Sequence, residues 1–278
     1  MEEPSSRDPV PQSTPSPPSR SPEDAVRAVA TAGTLLVALD FDGTLAPLVD
    51  DRMAAAPLPA AVAALHRLAA LPRTALALVS GRDLRELAAV SRAPAGTTLV
   101  GSHGGEWARP GVPVEQEPIG DAARAELAAA RAALGTLVAG TAAFVEDKVA
   151  TTVLHTRRCP PDVAAALAAR ARDLPAAHGW AAVHVLVGKD VVELAVREPD
   201  KAAAVRRLAA EADADAVVFA GDDVSDESVF RAWAGQSSAL MVKVGAGPTA
   251  AGLRLAGPAD VAALLAALAD YRARPRTP

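Results

Sequence analysis

The sequence predicts an α/β protein: a Rossmann-like, doubly wound parallel-sheet core with a smaller α/β cap domain inserted into it. Three observations predict this. Short apolar runs at 35–39, 74–79, 97–100, 216–220 and 239–244 alternate with amphipathic stretches of helical length, which is the pattern of parallel strands joined by crossover helices. Several of the runs stop at polar or acidic residues, notably Asp40, Ser80 and Asp222, where open α/β sheets bind ligands. Between about 109 and 196 the alternation changes, and strands come in pairs joined by tight turns, as in an antiparallel sheet.

In chain order, residues 1–22 are rich in Pro and Ser and nearly devoid of apolar side chains. They cannot offset their ordering entropy by burial and are expected to form a disordered tail. Ser21 is expected to cap a first helix, with Pro22 at its first position and Glu23 and Asp24 near its positive end. Leu35–Leu39 reads as a buried strand, followed by a crossover helix over 57–71 that Pro72 stops. The run 74–79 ends at Ser80-Gly81-Arg82 and leads into a helix over 83–90. Residues 97–100 form a strand ending at Gly101-Ser102-His103-Gly104-Gly105-Glu106.

Pro110, Gly111 and Pro113 break the pattern near Arg109. A helix over 121–134, strands over 142–147 and 149–156, a helix over 162–174 and strands over 182–187 and 190–196 follow, the last two joined at Gly188-Lys189-Asp190. The first pattern resumes at Pro199-Asp200-Lys201, which opens a helix to about Ala212. Strands over 216–220 and 239–244 and a helix over 258–271 complete the chain. The expected organisation is a core of residues 23–108 and 197–278, with a cap over 109–196.

The 278 residues suffice for one large or two medium domains, and a net charge of −5 argues against a general nucleic-acid binder. No stretch is long and apolar enough to span a membrane, and Met-Glu-Glu-Pro at the start lacks the basic and apolar regions of a secretory signal. Cys159 is the single cysteine, which excludes an intrachain disulfide. These features together suggest a cytoplasmic protein. Composition does not fix the oligomeric state, and a monomer is the working expectation.

The run ending in Asp40-Phe41-Asp42-Gly43-Thr44 carries the chemistry. Two carboxylates this close repel unless a cation joins them, and a hard divalent ion such as Mg2+ suits them. If the strands ending at Asp40, Ser80 and Asp222 are neighbours, their loops surround one point. Asp40 and Asp222 could then hold Mg2+, with the backbone carbonyl of Asp42 completing the protein ligands. The Ser80 hydroxyl and nearby N–H groups suit phosphate oxygens, and Lys201 offers a point charge to the same group. Asp40 is placed to attack phosphorus, and Asp42 to exchange protons with the leaving oxygen and with water, provided its carboxyl stays off the metal. Each feature alone has an ordinary explanation: an Asx turn, a Ser-Gly turn, a solvated lysine, or acids at a helix start in 222–227. Their joint order along the chain outweighs these explanations.

The motifs Asp40-Phe-Asp42-Gly-Thr44, Ser80-Gly-Arg82, Lys201 and Gly221-Asp222-Asp223 resemble those of the haloacid dehalogenase-like superfamily. Within it, the chain most resembles the trehalose-6-phosphate phosphatase family. The carriers are Gly221-Asp-Asp-Val-Ser-Asp-Glu227, Ser102-His-Gly-Gly-Glu106, Glu146-Asp-Lys148, His155-Thr-Arg157 and Glu193. The resemblance implies Mg2+-dependent hydrolysis of trehalose 6-phosphate, the last step of trehalose biosynthesis, under a lid that closes over the sugar. By position it implies that Thr44, Ser80 and Lys201 bind phosphate, and that Asp40, Asp42 and Asp222 hold the metal with Asp223 and Asp226 behind them. Glu146, Lys148, Arg157 and Glu193 would contact the sugar from the lid, and Arg82, His103 and Gly104 would line the core side of the pocket.

The chain departs from the family pattern at three positions: Ala202 follows the lysine where Gly is usual, Thr156 replaces a Tyr, and Ser225 replaces a Thr. Sugar hydroxyls both donate and accept, which suits paired carboxylates, a lysine and an arginine. Taken singly, Glu146, Lys148 and Glu193 read equally well as an exposed polar strand face. The competing readings are a phosphatase acting on sucrose phosphate or mannosyl-phosphoglycerate, a non-catalytic sugar-phosphate sensor, and a receiver-type signalling domain. The last lacks an inserted lid and a second aspartate two residues on.

Overall fold

The computed structural model describes residues 22–188, 190–197 and 200–274. The Ser21 cap, the expected tail up to residue 21, the turn residue Lys189 and Pro199 lie outside the described residues.

In chain order the elements are α1 (Pro22–Ala30), β1 (Leu35–Leu39), α2 (Pro59–Ala69), β2 (Thr74–Val79), α3 (Leu84–Val90), β3 (Thr98–Gly101), β4 (Glu106–Ala108), β5 (Glu115–Gln116), α4 (Asp121–Val138), β6 (Phe144–Asp147) and β7 (Thr151–His155). They continue as α5 (Pro161–His178), β8 (His184–Gly188), β9 (Val191–Ala195), α6 (Lys201–Glu211), β10 (Ala216–Gly221), α7 (Glu227–Ala232), β11 (Ala239–Val244), β12 (Leu253–Leu255) and α8 (Pro258–Arg272).

One eight-stranded sheet has the order β12-β11-β10-β1-β2-β3-β4-β5, parallel from β12 through β3 and antiparallel from β3 to β5. The short edge strands β4, β5 and β12 carry too few residues to show a period, and the sequence pattern does not announce them. The sheet continues to Gln116, past the breaker cluster at Pro110–Pro113.

The period of two in a strand sorts β1 between two apolar layers. Leu35, Val37 and Leu39 face Val26 and Val29 of α1, Leu65 and Leu68 of α2, and Leu265 and Leu268 of α8. Leu36 and Ala38 face Val205 and Leu208 of α6 and Phe230 of α7. Burial on both faces explains why this strand reads as a continuous apolar run.

The second sheet has the order β6-β7-β9-β8 and is antiparallel throughout. Helices α4 and α5 cover one face through Ala130, Leu134, Leu154, Leu167, Ala171, Val192 and Leu194. The register places Glu146, Val153, Glu193 and Leu186 side by side on the opposite face. The two chain segments that join this sheet to the first are cross-braced: Arg197 donates through Nη2 to the carbonyls of Glu117 and Pro118, at 2.7 and 3.2 Å. The fold is thus a parallel-sheet core with a separate antiparallel sheet, as the sequence predicts.

Leu154 is fully buried at the centre of the second sheet's apolar layer. Leu154→Ala is expected to lower stability by about 2–5 kcal/mol, read by chemical denaturation, because the cavity left behind cannot fully collapse.

Candidate active site

Strand order reverses at β1, which has β10 on one side and β2 on the other. A crevice opens at the carboxyl ends of strands at such a point. The backbone ladder carries the loops into place: Asp40 N–H donates to Ala220 O at 2.9 Å, and Ser80 N–H donates to Val100 O at 2.9 Å. Asp40, Ser80 and Asp222 therefore converge. With Asp42, Leu48, Arg52, Gly81, Arg82, His103, Lys201 and Asp223 they line one cleft of about 280 Å³.

Lys201 stands at the centre. It begins α6, whose N-terminus Asp200 caps by accepting from Ala203 N–H at 2.7 Å. Its ammonium donates to Asp40 Oδ1 at 2.9 Å and to Asp226 Oδ1 at 2.7 Å. All three side chains are almost wholly buried. Asp226 is held in turn by the Asp223 N–H, which donates to its Oδ2 at 2.9 Å. Two glycines make room. A Cβ on Gly221 would lie 2.3 Å from the Asp226 carboxyl, and one on Gly43, where φ is +71°, would lie 2.0 Å from Asp222 Oδ2.

Asp42 has a different partner. Arg82 donates through Nε and Nη2 to its two carboxylate oxygens, each at 2.6 Å. The guanidinium is 1% exposed and lies 5.4 Å from the centre of the Phe41 ring. The Arg82 backbone N–H donates to Ser80 Oγ at 3.2 Å, while the guanidinium ties the loop after β2 to Asp42 in the loop after β1. Thr44 is fully buried behind the cleft, with its hydroxyl 3.5 Å from Asp40 Oδ2. It supports Asp40 from behind and does not line the cleft.

Carboxylate oxygens of Asp40, Asp222 and Asp226 all lie within 4.8 Å of one another. Burial raises the Asp40 pKa well above the carboxylate range, and Asp226 and Asp222 add to the shift while Lys201 opposes it. Burial, with Asp226 and Asp223 adding repulsion, pushes Asp222 up to about 6. Asp223 goes the other way: burial resists, but hydrogen bonds from Val224 N–H and Ser225 to its carboxylate hold its pKa low. Three carboxylates with one lysine between them carry excess negative charge. Such an all-oxygen donor set fits a hard divalent cation.

The second sheet reaches the same region. A narrow cavity of about 20 Å³ is lined by Gly81, Ser102 and His103 from the core and by Lys148, Thr151, Glu193 and Arg197 from the other side. Lys148 is nearly buried and lies 3.8 Å from Glu146 Oε1, whose other oxygen is 2.8 Å from His155 Nε2. His155 stacks on Phe144 at a centroid distance of 4.5 Å. Arg157 points elsewhere and donates to the carbonyl of Asp50 in the core at 3.3 Å. Gly104, with φ at +109°, lies outside both sets of lining residues. A Cβ there would come 3.3 Å from the carbonyl of Asp200, and its own carbonyl accepts from Trp107 Nε1 at 2.9 Å. Its place is structural: it lets the loop pass over the start of α6.

A family profile described as trehalose-phosphatase matches residues 38–259. The chain belongs to the trehalose-phosphatase family. It is 34% identical over 262 residues to the trehalose-phosphate phosphatase of Mycobacterium marinum, covering 89% of this chain and 66% of that one. It is 34% identical over 229 residues to a bifunctional trehalose-6-phosphate synthase/phosphatase of Thermoproteus tenax, covering 81% of this chain and 30% of that one. The chain thus spans less than two thirds of the length of these curated relatives. Among solved structures, trehalose-6-phosphate phosphatase from Aspergillus fumigatus superposes with a TM-score of 0.66 at 28% identity, covering 91% of this chain and 98% of that one. The family match spans the strand ends that build the cleft and the second sheet.

Sequence reasoning had given no role to three residues that shape the site, although Glu106 closes the motif Ser102-His-Gly-Gly-Glu106. Lys243, at the end of β11, is buried and donates to the carbonyl of Asp222, which fixes that residue's backbone. A lysine inside an otherwise apolar strand was the available signal. Glu106 accepts from Ser102 Oγ at 2.6 Å and from Leu84 N–H at 3.3 Å, tying the loop that carries His103 to the loop after β2. Arg52 lines the cleft from a short turn at 52–54 and carries no signal in the sequence pattern.

Burial, with Lys201 adding repulsion, lowers the His103 pKa to about 3, and its Nδ1 is buried without a partner. Below the unfolded-state value of about 6.5 the unfolded chain binds a proton at this position that the native site refuses. The contribution is therefore intact above pH 6.5 and is lost as pH falls toward 3. His103→Gln is expected to gain on the wild type by up to about 2 kcal/mol between pH 7.5 and pH 5, measured by denaturant unfolding at both values.

Proposed function

We propose that the protein is a Mg2+-dependent phosphatase that hydrolyses trehalose 6-phosphate to trehalose and phosphate. The observation that carries this reading is the convergence of Asp40, Asp42, Ser80, Lys201 and Asp222 in one cleft beneath the polar face of the second sheet. Family membership supports the substrate assignment.

In this reading residues 23–108 and 197–278 belong to the catalytic core, which the pairing of β5 with β4 extends past the expected boundary at 109 to Gln116, and the lid occupies the remaining residues up to 196. Asp40 and Asp222 would hold Mg2+ with the carbonyl of Asp42, while buried Asp226 would support them from behind and Asp223 from the cleft wall. When bound, the cation offsets the crowded carboxylates and stabilises charge on the transferring phosphoryl group. A carboxylate oxygen of Asp40 attacks phosphorus, and the bond from phosphorus to the sugar oxygen breaks, leaving an aspartyl-phosphate. Protonated Asp42 gives its proton to the departing sugar oxygen. Asp42 then takes a proton from the water that attacks the aspartyl-phosphate, which releases phosphate and restores Asp40. Arg82 positions the Asp42 carboxyl, and one of its two hydrogen bonds must open so that the freed oxygen can carry the proton in each transfer. Ser80 and Lys201 bind the phosphoryl oxygens, and Lys201 also favours the ionised form of Asp40 that the attack requires.

Glu146, Lys148, Glu193 and Arg157 are assigned to the sugar or to lid closure, with His103 at the rim. A cavity of about 20 Å³ between core and second sheet holds on the order of one water, so a disaccharide needs the lid to open. Closure would then exclude water other than the attacking one.

The deciding measurement is phosphate release from trehalose 6-phosphate, sucrose 6-phosphate, glucose 6-phosphate and mannosyl-phosphoglycerate, each with Mg2+ and with chelator. Strong preference for trehalose 6-phosphate, abolished by chelator, is the expected result. Preference for another sugar phosphate would retain the Asp40 chemistry and replace the substrate. Asp40→Asn is expected to abolish turnover, by at least about 10³-fold, while the protein still folds, because the amide keeps an oxygen for Lys201 and Asp226 still matches the ammonium charge. Glu146→Ala and Glu193→Ala are expected to reduce kcat/KM on trehalose 6-phosphate by about 10–100-fold and to leave a small aryl phosphate nearly unaffected. Equal losses on both substrates would remove the sugar-contact assignment.

A further inference from the structure

The chemistry proposed above leaves one cation of the cleft unused. Among the described residues that line the cleft, the permanently charged cations are Arg52, Arg82 and Lys201. Lys201 is engaged by Asp40 and Asp226 at 2.9 and 2.7 Å, and Arg82 by both oxygens of Asp42 at 2.6 Å. Arg52 approaches one carboxylate oxygen, Glu86 Oε2, at 3.3 Å. That oxygen has no aligned hydrogen bond, so the contact is an ion pair without directed N–H donation. The Arg52 side chain stays 39% exposed. Its fork of donors is therefore largely uncommitted.

The backbone beneath it is fixed. Arg52 opens a short turn capped by Asp51, whose side chain accepts from Met53 N–H at 3.0 Å. Two residues back, the carbonyl of Asp50 accepts from Arg157 of the second sheet at 3.3 Å. The field of the guanidinium reaches His103 on the core rim and Glu146 on the second sheet. Arg52 thus stands where the phosphate end of the cleft meets the sugar end.

A phosphate ester entering this cleft meets Asp40, Asp42, Asp222 and Asp223 on its walls. Like charges oppose entry until a cation offsets them. Arg82 is held by both oxygens of Asp42, and Lys201 shares its charge with Asp40 and Asp226, so Arg52 is the cleft cation with most charge left to offer at the mouth. A guanidinium fork matches phosphate oxygens in a bidentate geometry. We propose that Arg52 is a substrate-binding residue whose guanidinium takes up the negative charge of the phosphate ester at the mouth of the cleft. This rests on the cleft being the phosphate site described above. It adds a residue outside the strand-end motifs, on a turn that the lid itself touches.

The test uses the full chain with Mg2+ and compares wild type, Arg52→Gln and Arg52→Lys. Affinity for inorganic phosphate is measured by calorimetry. KM and kcat are measured on trehalose 6-phosphate and on para-nitrophenyl phosphate at low and high salt. Arg52→Gln is expected to weaken phosphate binding and to raise KM on both substrates by about tenfold, with kcat within about twofold and a shallower salt dependence. Arg52→Lys is expected to recover part of the loss, which shows that the turn still folds. Unchanged phosphate affinity in Arg52→Gln overturns the proposal. A loss confined to trehalose 6-phosphate also overturns it and assigns Arg52 to Glu146 or to the sugar. Wild type that binds phosphate but does not hydrolyse trehalose 6-phosphate removes the substrate reading and leaves the calorimetric test of Arg52 standing. Wild type that binds no phosphate overturns both.

Discussion

The buried ammonium of Lys201 between Asp40 and Asp226 is the contact on which the site depends. An ammonium taken out of water is tolerated only with well-placed opposite charge, and removing one partner of a buried pair costs about 3–5 kcal/mol. Burial opposes the charged form of Lys201, but the two aspartates outweigh it and raise the lysine's pKa. Asp40 follows β1, Asp226 follows β10 and Lys201 begins α6, so one cation fixes three loops from two distant parts of the chain. Lys201 also lies just past the inserted sheet. Its pairing with Asp40, 161 positions earlier, joins the two parts of the core on either side of the insertion.

The same charges that hold the site together set its chemical problem. Lys201 neutralises only part of the negative charge, and Asp40 and Asp222 are left with raised pKa values. On the proposed mechanism Asp40 must be ionised to attack, and a divalent cation among these carboxylates would supply the missing positive charge. The sugar end obeys a different rule. Its groups sit on a separate sheet with its own apolar layer, and they reach the core through polar contacts such as Arg157 to Asp50 and through linkers that Arg197 braces. The cleft carboxylates are packed into the main core, and the second sheet meets them through these polar contacts.

The parts of this site that lie on strand ends were legible in the sequence, because a long apolar run that stops on a charged residue predicts both the strand and the direction of its loop. Asp40, Ser80 and Asp222 were found this way, whereas their convergence was a supposition about strand neighbours that only the order β10-β1-β2 supplies. Pairings between loops were not legible. Nothing in the residues near Arg82 says that it grips Asp42, forty positions back, and nothing near Asp226 says that one of its oxygens takes the lysine while the other takes the Asp223 N–H. Acidic residues near a helix start have a sufficient local explanation, which hides the long-range one. Gly104 was placed at the pocket by motif position, whereas its positive φ serves the passage of the chain past Asp200. Edge strands of two or three residues were missed for lack of any period to read.

The three departures from the family pattern show how local packing absorbs a change while the geometry of the cleft stays in place. Ala202, where Gly is usual, is buried in the apolar layer that includes Val205, Trp107 and Phe230, so its methyl group adds contact where a glycine would leave none. Ser225 keeps the hydroxyl of the usual Thr and donates it to Asp223 Oδ2 at 3.1 Å. Thr156 replaces an aromatic ring at the edge of the second sheet. Its hydroxyl and its N–H both donate to the carbonyl of Asp190, at 3.1 and 2.9 Å, and its side chain is buried. The segment after β7 is thereby pinned to the turn before β9 by hydrogen bonds instead of ring packing. Since β7 and β9 place Val153 and Glu193 side by side, this keeps the register of the face that meets the core. Identity at these positions can drift so long as the geometry behind Asp223 and Glu193 is preserved, whereas Gly43 and Gly221, each with a carboxylate where a Cβ would stand, leave no such freedom.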